Sequence, residues 1–352
     1  MLFKYIDLER LIHSVKTCIA CILGFLLTKF IGFPADQWIV ITIIVLMCAQ
    51  IYVGSVVQKA YSRFLGTVIG CLFAAVVLMS AGNSTAAIAA TIGLSSFIFS
   101  YIATGQESLS YAGTLGAVTT AIIMLNQVPT LTLAAERFLE ISIGLFIASV
   151  ISQFVLPIHA STHLRRSQAT TLEQLKNYYS LVMMQPEKEN IDITDLDEQI
   201  VKALIKQRQL AKESARERDN GTFDSTHFMQ SLYCEREILR SITYMHHALQ
   251  FLKKQNSFFL KLSSLQAFNQ TIMESLTIII EAINKNGPHT TPAHVPSSQA
   301  LKEEFAASIE NTSRDELVYM DGFLFSAQLL TNSLEKLIKL YNIPVHEDNV
   351  LN

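Results

Sequence analysis

Between positions 13 and 157 the chain passes through six apolar stretches, each about as long as a helix must be to cross a bilayer, with little between them. They cover roughly 13–31, 37–54, 64–81, 84–103, 109–126 and 136–157. A hydrocarbon core about 30 Å thick takes about 20 residues of α-helix. The connections are short and hold helix breakers: Gly32 with Pro34, Gly82-Asn83, Gly105 and Pro129, while Pro157 closes the last stretch. Lipid offers the backbone no hydrogen bonds, so these segments must be helical, and short connections make neighbours antiparallel. Charge follows the same division. Of 27 Lys and Arg and 30 Asp and Glu in 352 residues, only seven basic and six acidic side chains lie in 1–158. The expected fold is all-α: a transmembrane domain of six helices over 1–158, then a soluble helical bundle over 159–352 with a flexible linker near 286–298. No small-x-small cleavage site follows the first stretch, which is therefore expected to stay as a span.

Basic residues orient the spans. Lys4, Arg10 and Lys16 flank the first, Lys59 and Arg63 lie in the second connection, and Arg165 and Arg166 follow the last. The other side has only Lys29 and, near the membrane edge, Arg137. Both termini, and with them 159–352, are expected in the cytoplasm. The same region carries a repeat. Arg63-Phe64-Leu65 with Gly70 returns as Arg137-Phe138-Leu139 with Gly144, 74 residues later. Ile19-Ala20 with Gly24 is echoed more faintly by Ile88-Ala89 with Gly93. A three-helix unit has an odd number of crossings, so its second copy enters from the other side. The expectation is a 3+3 inverted repeat, an architecture that places substrate near the midplane.

Ionisable groups inside a span are expensive and mark candidate sites. Arg63 follows Lys59 by one helical turn, so the two share a face. Arg137 is flanked by Glu136 and Glu140, themselves one turn apart. By repeat symmetry the arginines are expected at opposite membrane faces, each at a helix N-terminus, where the helix dipole and the guanidinium fork both favour an anion. One reading is a route for an organic anion, with Arg63, Arg137, Lys59 and Thr67 contacting substrate and Glu140 or Glu136 responding to protons. The other is snorkelling of the arginines to the interface, with local Arg–Glu pairing. Thr42, Gln50 and Gln153 fit helix–helix hydrogen bonds. Glu107 fits a solvated connection, and Trp38 an interfacial anchor.

The remainder reads as helices over roughly 159–185, 194–219, 224–256, 258–286 and 312–342. Ile238, Ile242, Met245 and Leu249 recur at helical spacing, and Thr194 with Asp197 resembles a capping box. An antiparallel bundle satisfies that pattern. His246 and His247 are adjacent and point to different helix faces, so they do not chelate one metal. Cys18-x-x-Cys21 falls within an apolar helix, as small packing residues do. With no Gly-rich phosphate loop and no catalytic constellation, no enzyme activity, metal, cofactor or nucleic-acid partner is expected.

Trp38 to Thr42, then Gly54-Ser55, Lys59-Ala60, Arg63 and Gly66-Thr67 with Gly70, resemble the fusaric acid resistance family, also called the aromatic acid exporters. Ala135-Glu136-Arg137 to Gly144, closing at Leu156-Pro157, carries the resemblance over about the first 160 residues. The resemblance implies proton-driven efflux of aromatic or other organic carboxylic acids across a bacterial inner membrane, often alongside a periplasmic adaptor protein. Exporters of that family typically carry two such membrane units, so one unit implies a homodimer. Six spans and a cytoplasmic helical tail are also similar to the plant aluminium-activated malate transporters, which are anion channels. A pump, a passive organic-anion channel and a non-transporting scaffold that recruits partners through 159–352 all stand as readings of the residues.

Overall fold

The computed structural model describes residues 8–32, 37–184, 194–217, 224–254, 262–285, 291–295, 297–306 and 314–345. Secondary structure among them is helical apart from one isolated bridge between Ala293 and Val345, so the fold is all-α. The chain divides into two compact units: 1–160 with 216–218, and 161–215 with 219–352.

The first unit holds α1 (Leu8–Ile31), α2 (Gln37–Ala49), α3 (Val53–Ser80), α4 (Thr85–Ala103), α5 (Glu107–Met124) and α6 (Leu131–Phe154). Ser84 and Thr130 cap α4 and α6, their hydroxyls accepting from the N–H groups of Ala87 and Leu133. Gly32 and Gly82 follow α1 and α3 at φ +71° and +69°, where a side chain would be strained. By length and composition α1, α3 and α4 suffice to cross a membrane, while α2 and α5 are shorter apolar helices. The second and third stretches differ from expectation. α2 stops at Ala49, and α3 starts at Val53 rather than near 64, because Lys59 and Arg63 sit within a continuous helix instead of breaking it.

Helix packing follows the repeat. α3 and α6 pack together at the centre; α3 packs on α5 as α6 packs on α2, and α5 on α4 as α2 on α1. Glycines set the closest contacts. A Cβ on Gly70 would lie 2.7 Å from Gly116 O on α5, and one on Gly144 would lie 2.9 Å from Ile39 O on α2. The two echoing phenylalanines, Phe64 and Phe138, meet with ring centroids 5.8 Å apart. Interior apolar residues such as Ile43, Leu46, Val56 and Ala148 are fully buried. Leu72, Val76, Phe97 and Phe146 are each more than 60% exposed, an outer surface that suits lipid and not water.

The second unit contains α7 (Ala160–Met184), α8 (Thr194–Ser214), α9 (Ser225–Lys254), α10 (Ser263–Lys285), α11 (Gln299–Ala306) and α12 (Arg314–Leu340). α9 and α12 pack along each other, and the Ile238, Ile242, Met245 and Leu249 stripe is buried. The short α11 was not expected from the sequence. Of the linker expected near 286–298, residues 286–290 and 296 lie outside the described residues. The rest is tied down: Ala293 N–H donates to Pro344 O, His294 O accepts from Ser275 Oγ, and Ser298 Oγ donates to Gln328 Oε1.

Candidate functional site

Where α2, α3 and α6 meet, apolar helices enclose three charged groups. Arg63 lies ten residues inside α3 and is buried, and its Nη2 donates to Thr42 Oγ1 of α2 at 3.4 Å. One turn further, Thr67 is buried, and neither its Oγ1 nor Arg63 Nε has a hydrogen-bond partner among the described residues. Arg137, six residues inside α6, donates through Nη1 to Glu140 Oε2 at 2.6 Å. Its guanidinium carbon stands 5.1 Å from the centroid of the Trp38 ring on α2. Glu140 is fully buried, whereas Glu136 is only half-buried.

This arrangement corrects two expectations. Neither arginine is at a helix N-terminus, since each lies well inside its helix, so the helix-end contribution to anion binding does not apply to them. Nor are they at opposite faces. Their contacts on α2, Trp38 and Thr42, are one turn apart, about 6 Å of helix rise. Trp38, the second residue of α2 and half-buried, also lies under the Arg137 guanidinium, a contact that strengthens as water is excluded. Lys59 leaves the group: it is half-buried, with Nζ 5.5 Å from the centroid of the Tyr111 ring on α5.

Charge and desolvation say what the place can do. Along α2, α3 and α6 the charged side chains are Lys59, Arg63 and Arg137 against Glu136 and Glu140. A buried ion pair is poor evidence for stability, because desolvation offsets its attraction. A buried donor left without an acceptor costs about 1–3 kcal/mol. Two buried guanidinium groups against one buried carboxylate, which pairs with Arg137, leave positive charge in excess, and Arg63 Nε is a donor without a partner among the described residues. That is the chemistry of a seat for a carboxylate, with the Trp38 face alongside.

Sequence reasoning missed a second buried pair. Lys16, counted among the flanking charges, is fully enclosed with Nζ 3.4 Å from Ser152 O, and His13 Nε2 is 2.8 Å from Met47 O. The signal was the spacing of His13, Lys16 and the buried Ala20, the i, i+3, i+7 stripe of an inward face.

A third buried cluster belongs to the second unit. Glu235 Oε2 accepts from Gln207 Nε2 at 2.8 Å and Oε1 from Ser231 Oγ at 3.3 Å. Gln207 Nε2 also donates to Thr171 Oγ1, and Gln168 Nε2 donates to Ser231 Oγ. Ser231 and Tyr341 share a hydrogen bond of 3.1 Å. Burial pushes the Glu235 carboxyl up to about 8, against the lowering effect of its bonds from Gln207 and Ser231. The described residues contain no cluster of three or more His, Cys, Asp and Glu fit to hold a metal.

A family model described as the fusaric acid resistance protein family matches residues 10–337. The inner membrane protein YeeA of Escherichia coli (strain K12) is 25% identical over 170 residues, 48% of this chain and 47% of that protein. The multidrug resistance protein MdtO of the same organism is 28% identical over 186 residues, 51% of this chain and 26% of that protein. The chain thus spans about half, or a quarter, of the length of these relatives.

Proposed function

We propose, from the fact that this chain belongs to the fusaric acid resistance protein family, that it is an inner-membrane efflux transporter of aromatic or other organic carboxylic acids, driven by the proton motive force. The observation that carries the proposal is the pair of buried guanidinium groups, Arg63 and Arg137, one turn apart along α2 with Glu140 against Arg137. A substrate carboxylate competes with Glu140 for Arg137. Protonation of Glu140 releases Arg137 to the substrate, and ionisation reclaims it, which ties anion binding to a proton. Trp38 offers an aromatic substrate a ring to lie against, and Thr67 Oγ1 offers a further hydrogen bond.

Both termini are cytoplasmic in this reading, on the strength of Arg10, Arg165 and Arg166 together with Lys4, which lies outside the described residues. Lys16 and Arg63 no longer count toward orientation, since both are buried. The first unit serves as the transmembrane domain and the second as a cytoplasmic accessory. A single six-helix unit acts as a homodimer, with a periplasmic adaptor protein as a further partner.

The test is radiolabelled benzoate flux in proteoliposomes under an imposed pH gradient. Accumulation that follows the gradient, reduced at least tenfold by Arg63→Ala or Arg137→Ala, is expected. Current that ignores the gradient would replace the pump by a channel. Absence of flux for a range of aromatic acids would sink the transport reading, and a phenotype indifferent to both arginines would point to a scaffold.

A further inference from the structure

α1 brings two basic side chains to the place where two other helices end. His13 and Lys16, three residues apart, share a helix face, and both are buried. A carbonyl only accepts, so His13 Nε2 carries the hydrogen donated to Met47 O and Nδ1 presents its lone pair. That Nδ1 is buried with no hydrogen-bond partner among the described residues. Lys16 Nζ reaches Ser152 O at 3.4 Å, long for a charge-assisted bond, and Ser152 Oγ is likewise buried and without a partner. Among the described residues no carboxylate pairs with Lys16.

Met47 lies in the last turn of α2 and Ser152 in the last turn of α6. Helix C-termini carry the negative end of the dipole, so this place favours a positive charge and disfavours an anion. The Lys16 ammonium meets one carbonyl at 3.4 Å and no carboxylate among the described residues, and the His13 lone pair lies one turn away on the same helix face. Among the described residues, α2 adds Cys48; α6 has Glu136, Arg137 and Glu140 toward its other end; α3 has Lys59, Tyr61, Arg63 and Cys71; and α1 itself carries Glu9, Arg10, Cys18, Cys21 and Lys29.

We propose that Lys16, with His13 beside it, is a proton-binding site of the transport cycle. The Lys16 ammonium gives up its proton toward one side of the membrane, and the neutral amine takes one from the other side. This rests on the transport reading above and adds a proton site separate from Glu140.

Arginine separates this role from a purely structural cap, because its guanidinium keeps charge and donors but does not release a proton at accessible pH. Wild type, Lys16→Arg and His13→Gln are reconstituted, and two quantities are measured: benzoate–benzoate exchange without a gradient, and gradient-driven benzoate accumulation with proton movement followed by an internal pH dye. Lys16→Arg is expected to keep exchange within about twofold and to lose at least tenfold of the driven accumulation, with a flattened pH profile. His13→Gln, which keeps an N–H for Met47 O, is expected to slow driven accumulation severalfold and serves alone if Lys16→Arg does not fold. Full coupling in Lys16→Arg, or in His13→Gln if it stands alone, overturns the proton site while leaving transport intact. Lack of exchange in wild type overturns the transport reading itself.

Discussion

Both units bury a carboxylate in a polar cluster, and they treat it in opposite ways. Around Glu235 four helices close a network on both carboxylate oxygens: Gln207 of α8 ties Glu235 to Thr171 of α7, while Ser231 ties it to Gln168 of α7 and to Tyr341 at the end of α12, and Gln207 Oε1 is left without a partner among the described residues. Around Glu140 the apolar helices leave Arg63 Nε, Arg137 Nε and Thr67 Oγ1 without hydrogen-bond partners among the described residues. A closed network locks one packing arrangement. An open one keeps donors available for something that arrives, and a buried ion pair is itself weak evidence for stability.

The difference can be broken experimentally, and the largest effect belongs to the open cluster. Arg137→Ala removes the cation paired with buried Glu140 at 2.6 Å, and loss of about 3–5 kcal/mol is expected, read as a lowered melting temperature in detergent. In the closed cluster, Glu235→Gln should act in the other direction. The folded carboxyl titrates near 8 and the unfolded one near 4.5, so from about 4.5 upward the unfolded chain binds fewer protons and stability falls until the pH passes about 8. Glu235→Gln removes that decline. Hydrogen exchange in α9 of the full chain should match wild type near pH 5 and be slower than wild type near pH 8. A smaller effect is expected at the α6–α2 contact, where Gly144→Ala pushes a methyl toward Ile39 O and should cost about 1–3 kcal/mol. Gly93→Ala, with nothing within 4 Å, should not lower the melting temperature. The smallest loss is expected from Tyr179→Phe, which removes the 2.7 Å hydrogen bond to Asn269 Oδ1 and should lower stability by about 1 kcal/mol.

The apolar stretches and the charges inside them were legible because lipid allows so few exceptions to either. Arg63, Arg137 and Glu140 stood out as ionisable groups in segments otherwise free of charge. Their mutual placement was not legible. It depends on α3 beginning at Val53, and neither Gln50 nor Tyr52 announces that break as proline would. Lys16 was misjudged for the same reason: its depth follows from where α1 starts, and Leu8 carries no cap signal. Glu235 looked like one more charge in Cys234-Glu235-Arg236-Glu237, although it lies two turns before Ile242 on the buried stripe. Which of those charges turns inward is settled by Gln207 on another helix, a partner that no local pattern reveals.

One contact has a mechanical meaning. Phe64, partly exposed, and Phe138, half-buried, touch along the α3–α6 contact, and each follows its arginine directly in the chain. In the proposed transport cycle one three-helix half rocks against the other, and the fulcrum is where the halves bear on each other. Points close to a fulcrum barely travel, while the far ends of the levers sweep widest. The seat formed by Arg63 and Arg137 would then hold its shape through the swing, and access at the two ends would change around it.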